Sequence, residues 1–356
     1  MGKLILVINP GSTSTKISVF DGNNEIFKKT LRYQPEELAP YANVIDQLDF
    51  RTKSIKDALA ENNININDLS IVVGRGGLIK PIPSGTYEVN EAMIEDIKAC
   101  RFGEHASNLG GIIANVIAKE VGGIKAIIAD PVVVDELNPV ARVSGHSAIE
   151  RVSIFHALNQ KAIAKRYAAD HGKSYNEINI VVAHLGGGTS VGIHSQGRII
   201  DVNDALRGEG PFSPERSGGL PAAAVVDLCF GGKYTEAQIR KMISGEGGFV
   251  SYIGTNSFFD VENAVKDGDE KVKFIQDAFV YQLCKEIGAM STVVNGNVEA
   301  IVLTGGAAYY KKMVEEIKEK VSYIAPVVVY PGEDEMGALA SNALAVLEGT
   351  EQIKVY

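Results

Sequence analysis

Between Asn9 and Lys16 the chain reads Asn-Pro-Gly-Ser-Thr-Ser-Thr-Lys. Gly11 permits close approach of the backbone, Ser12, Thr13, Ser14 and Thr15 are small hydrogen-bond donors, and Lys16 is a cation. Together they suit a phosphate group, although an ordinary hairpin with a polar turn has the same composition. A second stretch, His184-Leu185-Gly186-Gly187-Gly188-Thr189-Ser190, is barer still. Its three successive glycines leave N–H groups unshielded, which is how a loop cradles phosphate without side chains. Two arginines stand among glycines and other small residues, Arg75 before Gly76-Gly77 and Arg216 before Ser217-Gly218-Gly219, and both suit an anion. A third glycine pair, Gly305-Gly306, follows the apolar run Ala300-Ile301-Val302-Leu303 and leads toward a helix over 309–321. Strand, glycine pair and helix form a nucleotide-edge arrangement, while neither GxGxxG nor GxxxxGK[ST] occurs.

These residues need elements to hold them. Leu4 to Ile8 and Ile17 to Phe20 read as two strands around the first turn, and Leu69 to Val73 as a strand that delivers Arg75 to a glycine-flexible loop. The spacing of Val44, Ile45, Leu48, Ile55, Ala58 and Leu59 predicts a surface helix within 36–62. His105 falls near the start of a helix over 109–121. Asp130 closes the strand 124–129, where open α/β sheets keep their chemistry, although a turn or cap residue would sit there equally well. His156 opens a helix over 157–169, whose dipole favours anions at that end.

The two turns are related. Sliding ILVINPGSTSTKISVFDG forward by 175 positions superposes it without a gap on IVVAHLGGGTSVGIHSQG, bringing Gly11 onto Gly186 and Gly22 onto Gly197. Two hairpins matching in strand, turn and closing glycine indicate a duplicated domain. The length of 356 residues agrees, being too great for one ordinary core and about right for two. A net charge of -9 with interspersed signs argues against a nucleic-acid surface. Cys100, Cys229 and Cys284 offer neither a disulfide framework nor zinc-ligand spacing. No apolar run reaches the length of a membrane span, so a cytoplasmic protein without membrane or nucleic-acid partners is expected.

Two phosphate hairpins in duplicated halves plus a strand–glycine–helix edge resemble the superfamily of acetate kinases, sugar kinases, heat-shock ATPases and actin. The stretch Asn9 to Lys16 is similar to the opening signature Asn-x-Gly-Ser-Ser-Ser-x-Lys of the acetate and butyrate kinase family. Arg75, His105, Asp130, Phe155-His156, His184-Leu185-Gly186-x-Gly188, Arg216-Ser217-Gly218 and Gly305-Gly306 follow in that family's order, so the resemblance covers nearly the whole chain. It implies an α/β fold of two duplicated actin-like, ribonuclease H-like domains, with mixed sheets flanked by helices and an ATP cleft between them. The first lobe would comprise 1–150 and 331–356 and hold the acyl substrate and the first phosphate loop. The second, 151–330, would hold the second loop and adenosine.

By the same resemblance Arg75, Asp130 and Arg216 carry catalysis, supported by His105 and His156. Asn9, Gly11, Ser12, Ser14, Lys16, His184, Gly186, Gly187, Gly188, Thr189, Gly305 and Gly306 bind ATP or ADP. Magnesium is expected at Asn9 with one acid among Glu333, Asp334 and Glu335, Glu333 and Glu335 being the named candidates. The implied reaction is reversible in-line attack of a carboxylate on the γ-phosphate, and it needs no general base because the acid is already ionised. Where acetate kinases carry Arg-Val-Val-His-Gly-Gly, this chain has Arg75-Gly76-Gly77-Leu78. A pocket bounded by Gly77 and Phe155 is expected to accept butyrate or the branched isobutyrate in preference to acetate, each buried methylene contributing up to about 0.8 kcal/mol. The family further implies a homo-oligomer. A reading from another class, a non-enzymatic nucleotide-binding protein of the actin type, requires neither arginine.

Overall fold

The structure, a computed structural model, describes residues 2–356. It divides into two compact units, one of Met1–Val134 with Asp334–Tyr356 and the other of Asp135–Glu333. Residues 135–150 and 331–333, expected in the first lobe, group instead with the second unit.

In the first unit β1 (Leu4–Pro10), β2 (Ser14–Asp21) and β3 (Asn24–Arg32) form an antiparallel meander. Next, β4 (Leu69–Arg75) pairs parallel to β1, and β6 (Lys125–Ala129) parallel to β4, with the short β5 (Thr86–Glu88) antiparallel at the edge. The order is β3-β2-β1-β4-β6-β5. The unbroken apolar run of β1 follows from burial on both faces, since alternate residues of a strand point to opposite sides. Leu6 and Ile8 share a core with Leu109, Ile112 and Ile113 of the helix Asn108–Val121. Ile5 and Val7 point to the other face, and they too are fully buried; the helix Glu335–Glu348 packs on β1 and β4.

The second unit repeats the plan. There β7 (Asn179–Leu185), β8 (Thr189–Ser195) and β9 (Arg198–Val202) make the meander, β10 (Ala300–Gly305) lies parallel to β7, and β11 (Val327–Pro331) parallel to β10. The order β11-β10-β7-β8-β9 mirrors that of the first sheet, as duplication requires. Val181, Ala183, Ile301 and Leu303 face Phe279, Leu283 and Ile287 of the helix Glu270–Thr292. Ile180, Val182, Ala300 and Val302 pack on Ala164, Tyr167 and Ala168 of the helix Ala157–Asp170.

The correspondence of the two hairpins is not perfect. Asn9 pairs with Lys16 across the first, whereas His184 pairs with Ser190 across the second, one residue short of the ungapped match. The second turn is tighter: Gly186 N–H donates to the Gly188 carbonyl, while Gly11 N–H reaches the Ser14 carbonyl. The helix after Gly305-Gly306 also begins later than expected, since a 3₁₀ turn, Gly306–Tyr309, precedes Lys311–Val321. Among the described residues no helix is long and apolar enough to cross a membrane.

Candidate active site

In the first unit the candidates gather where the parallel strands β1, β4 and β6 end. Asn9 is buried at the end of β1, and its Nδ2 donates to Glu335 Oε2 at 2.7 Å. Arg75, the last residue of β4, places Nη1 2.8 Å from Glu335 Oε1 and 2.9 Å from Oε2, and 3.4 Å from Asn9 Oδ1. Asp130 follows β6 immediately, with φ at +38°, a conformation unusual for a residue with a side chain. Its Oδ1 accepts from Ser84 Oγ at 2.7 Å and Gly85 N–H at 2.8 Å. His105 keeps Nδ1 2.8 Å from Ser107 Oγ. Partial burial, and then the charge of Arg75, hold its imidazole below the usual range.

The glycines around Arg75 serve packing. A Cβ on Gly74 would run into the Gly110 carbonyl, and Gly110 in turn lies against the Arg75 backbone. Gly77 is packed as closely: a Cβ there would lie 2.5 Å from Asn108 Cα and 2.7 Å from Asn108 N, so its missing side chain makes room for the start of the helix Asn108–Val121.

The first turn is supported from within the helix expected at the surface. Arg51, in the helix Leu48–Glu61, is completely buried. Its Nη1 donates to the carbonyls of Gly11 at 2.8 Å and Ser14 at 3.0 Å and to Thr15 Oγ1 at 3.1 Å, while Nη2 donates to the Ser12 carbonyl at 2.8 Å. Nε donates to Gln47 Oε1 at 2.9 Å, and the guanidinium lies 4.9 Å from the Tyr33 ring. A cation holding these carbonyls inward fixes the shape of the turn. Ser12 and Lys16 are exposed, Gly11 and Ser14 half-buried. The detectable signal was position: Arg51 falls on the stripe of Leu48, Ile55 and Leu59.

In the second unit His156 and His184 stack, with ring centroids 3.8 Å apart and planes 9° apart. His184 Nδ1 is 2.8 Å from Asn159 Oδ1, and its Nε2 is 3.8 Å from Glu333 Oε2. Arg216 donates from Nη1 to the Ala205 carbonyl at 2.7 Å and lies where a Cβ of Gly188 would stand, with His156 Cε1 3.3 Å from the same point. Burial pulls its guanidinium below the usual range, opposed by Glu215 and Asp204, yet among the described residues it forms no ion pair. Gly187 offers its carbonyl to Ser213 Oγ at 2.8 Å. Thr189 has a buried hydroxyl with no hydrogen-bond partner. Gly305, at φ +89°, lies against the backbone of Leu185, while Gly306 faces open space. Phe155 is buried at 3% exposure.

The three acids 333–335 thus separate by contact. Asp334 caps its helix by accepting from Gly337 N–H, Glu335 joins Asn9 and Arg75, and Glu333 stands beside His184.

Residues 143–324 match the model of the acetokinase family. Butyrate kinase 2 of Clostridium acetobutylicum is 56% identical over 352 residues, 99% of either chain. A probable butyrate kinase of Clostridium botulinum is 51% identical over 356 residues, the whole of both chains. The crystal structure of Porphyromonas gingivalis acetate kinase is 19% identical and superposes with a TM-score of 0.76, over 97% of this chain and all of that one, a likeness of fold. The architecture is therefore the actin-like one of the acetate kinases. The chain belongs to the acetokinase family and is a kinase.

Proposed function

We propose that the protein transfers the γ-phosphate of ATP to the carboxylate of butyrate, reversibly giving butyryl phosphate and ADP. The observation that carries this reading is 56% identity, across 99% of the chain, to a protein named butyrate kinase. With Gly77 explained by packing, the acyl preference rests on that likeness and not on a missing valine.

The chemistry makes the gathered residues reasonable. Two anions must approach within about 3 Å, and cations aimed at the transferring group must offset their repulsion. Arg216, a half-buried cation without an ion pair among the described residues, would take the transferring phosphoryl oxygens. Arg75 would exchange its contact with Glu335 for the acyl carboxylate or the phosphate, and His105 and His156 would donate hydrogen bonds. The N–H groups of Ser12, Gly187 and Gly188 would bind phosphate oxygens, on turns that Gly11 and Gly186 close with their own N–H groups, helped by Ser14, Lys16, His184 and Thr189, while Gly305 and Gly306 would border the nucleotide. The first unit would carry the acyl substrate and the second the adenosine.

Glu335 and Asn9 offer the hard oxygen donors that magnesium prefers, so they fit that ion, and Glu333 is a further candidate. Bound there, magnesium would neutralise charge on the β- and γ-phosphates. Asp130 has Oδ1 occupied by Ser84 and Gly85, leaving Oδ2 to accept from water in that region. We further infer a cytoplasmic homo-oligomer; self-association is supported by the helix Ala222–Phe230, whose Val226 and Phe230 are 53% and 86% exposed. Incubation with ATP, magnesium, butyrate and hydroxylamine tests the reaction. Butyryl hydroxamate should form only when ATP is present, whereas nucleotide binding without any acyl phosphate would favour the actin-type alternative.

A further inference from the structure

A line of buried polar side chains runs from the interior of the second unit to His156. Gln160, Ser190 and His194 are all completely buried. Gln160 lies one helical turn after His156, and its amide sits where a Cβ of Gly192 would press on Oε1 at 2.8 Å, so that glycine makes room for it. One contact orients the whole line. The Ser190 carbonyl can only accept, and Gln160 Nε2 stands 3.1 Å from it, which directs the amide nitrogen toward Ser190 and the amide oxygen away.

The remaining protons follow. Gln160 Oε1 is 3.1 Å from His194 Nε2, so that nitrogen carries the proton and donates it. His194 Nδ1 is then an acceptor, and Tyr175 O–H donates to it at 2.8 Å. The second amide proton of Gln160 goes to Ser190 Oγ at 2.8 Å. Ser190 has one hydroxyl proton of its own, and the acceptor facing it is His156 Nδ1 at 2.9 Å. If Nδ1 carried a proton, a fully buried hydroxyl would be left without an acceptor, an arrangement that buried polar groups avoid.

We propose that Gln160 is a positioning residue for phosphoryl transfer: through Ser190 it holds His156 in the tautomer with its proton on Nε2, so that Nε2 presents a donor. A ring held this way has a hydrogen bond ready for anionic oxygen and needs no reorientation when charge develops. The catalytic consequence rests on the role proposed above for His156, whereas the tautomer itself does not.

The test is long-range proton–nitrogen correlation spectroscopy on the full-length protein labelled with ¹⁵N-histidine, whose six histidines are separable, with His156 assigned by its loss in His156→Asn. In the unmodified protein His156 should be protonated at Nε2. Gln160→Glu replaces the amide donor by an acceptor, so the Ser190 proton should turn to residue 160 and His156 should become the Nδ1–H tautomer. With the Nε2 lone pair then facing anionic oxygens, kcat should fall about tenfold to a hundredfold while KM for ATP stays within about twofold. Ser190→Ala, which breaks the link without adding charge, should show both tautomers and covers the case in which the Glu variant fails to fold. A proton on Nδ1 in the unmodified protein, or an unchanged tautomer in both variants, overturns the proposal. A reversed tautomer with undiminished kcat would also overturn it, by removing His156 and with it Gln160 from phosphoryl transfer.

Discussion

Arg216, half-buried in the second unit, carries a positive charge that forms no ion pair among the described residues. Lys161, for comparison, is more deeply enclosed, at 1% exposure, and lies 2.6 Å from Glu136. A charge left in this state is costly unless an anion visits it. Arg216→Ala should therefore lose at least about 3 kcal/mol of transition-state stabilisation, roughly two orders of magnitude in kcat/KM, with the fold intact. Arg75→Ala should lose as much, and steady-state kinetics of acyl phosphate formation measure both. The two arginines were legible in the sequence because small residues surround them. Gly77 was legible as important, but its packing was not: a glycine that admits a helix start and one that enlarges a pocket look alike until the neighbouring Asn108 is in place. Gln160 carried no sequence signal and Ser190 only that of the second turn, since their shared significance lies in the direction of hydrogen bonds between residues 30 positions apart.

The phosphate hairpins are the elements on which the site depends, and each is held from behind by polar side chains. Arg51 gathers the carbonyls of the first turn. Asn203 does similar work in the second, with Oδ1 accepting from Val191 N–H at 2.7 Å and Nδ2 donating to the Thr189 carbonyl at 3.2 Å. Arg51→Met would keep the length of the side chain but remove the donor shared by three carbonyls and a hydroxyl. It should cost about 3 kcal/mol in urea denaturation, and a loosened turn should raise KM for ATP about tenfold. Unchanged stability and KM would show that the turn holds its shape alone. Both hairpins could be read from apolar run, glycine turn and apolar run. Their one-residue difference in register could not, because an ungapped match of sequence conceals a tighter turn.

Across the molecule, the duplication visible as a shift of 175 positions reappears as two sheets with the same strand order, which places both glycine turns at the ends of the first strands of their units. The third meander strands, β3 and β9, were less visible because β3 is largely exposed and β9 short. Stability against acid also belongs to this scale. Burial, reinforced by the charge of Lys161, keeps His194 neutral well below the usual value of 6.5. The unfolded chain therefore takes up a proton that the folded protein refuses. Stability is unaffected by this group above about pH 6.5 and falls as the pH drops below it, with a slope of about 1.4 kcal/mol per pH unit. His194→Gln should remove that contribution, seen as a shallower loss of stability between pH 6.5 and 5 in denaturant titrations.

The substrate assignment is tested most directly by kcat/KM for butyrate, isobutyrate and acetate, with ATP saturating and the acyl phosphate trapped by hydroxylamine. Butyrate should exceed acetate by about tenfold or more, in keeping with two additional buried methylenes. A preference for acetate, or no acyl phosphate from any of the three acids, would contradict the account.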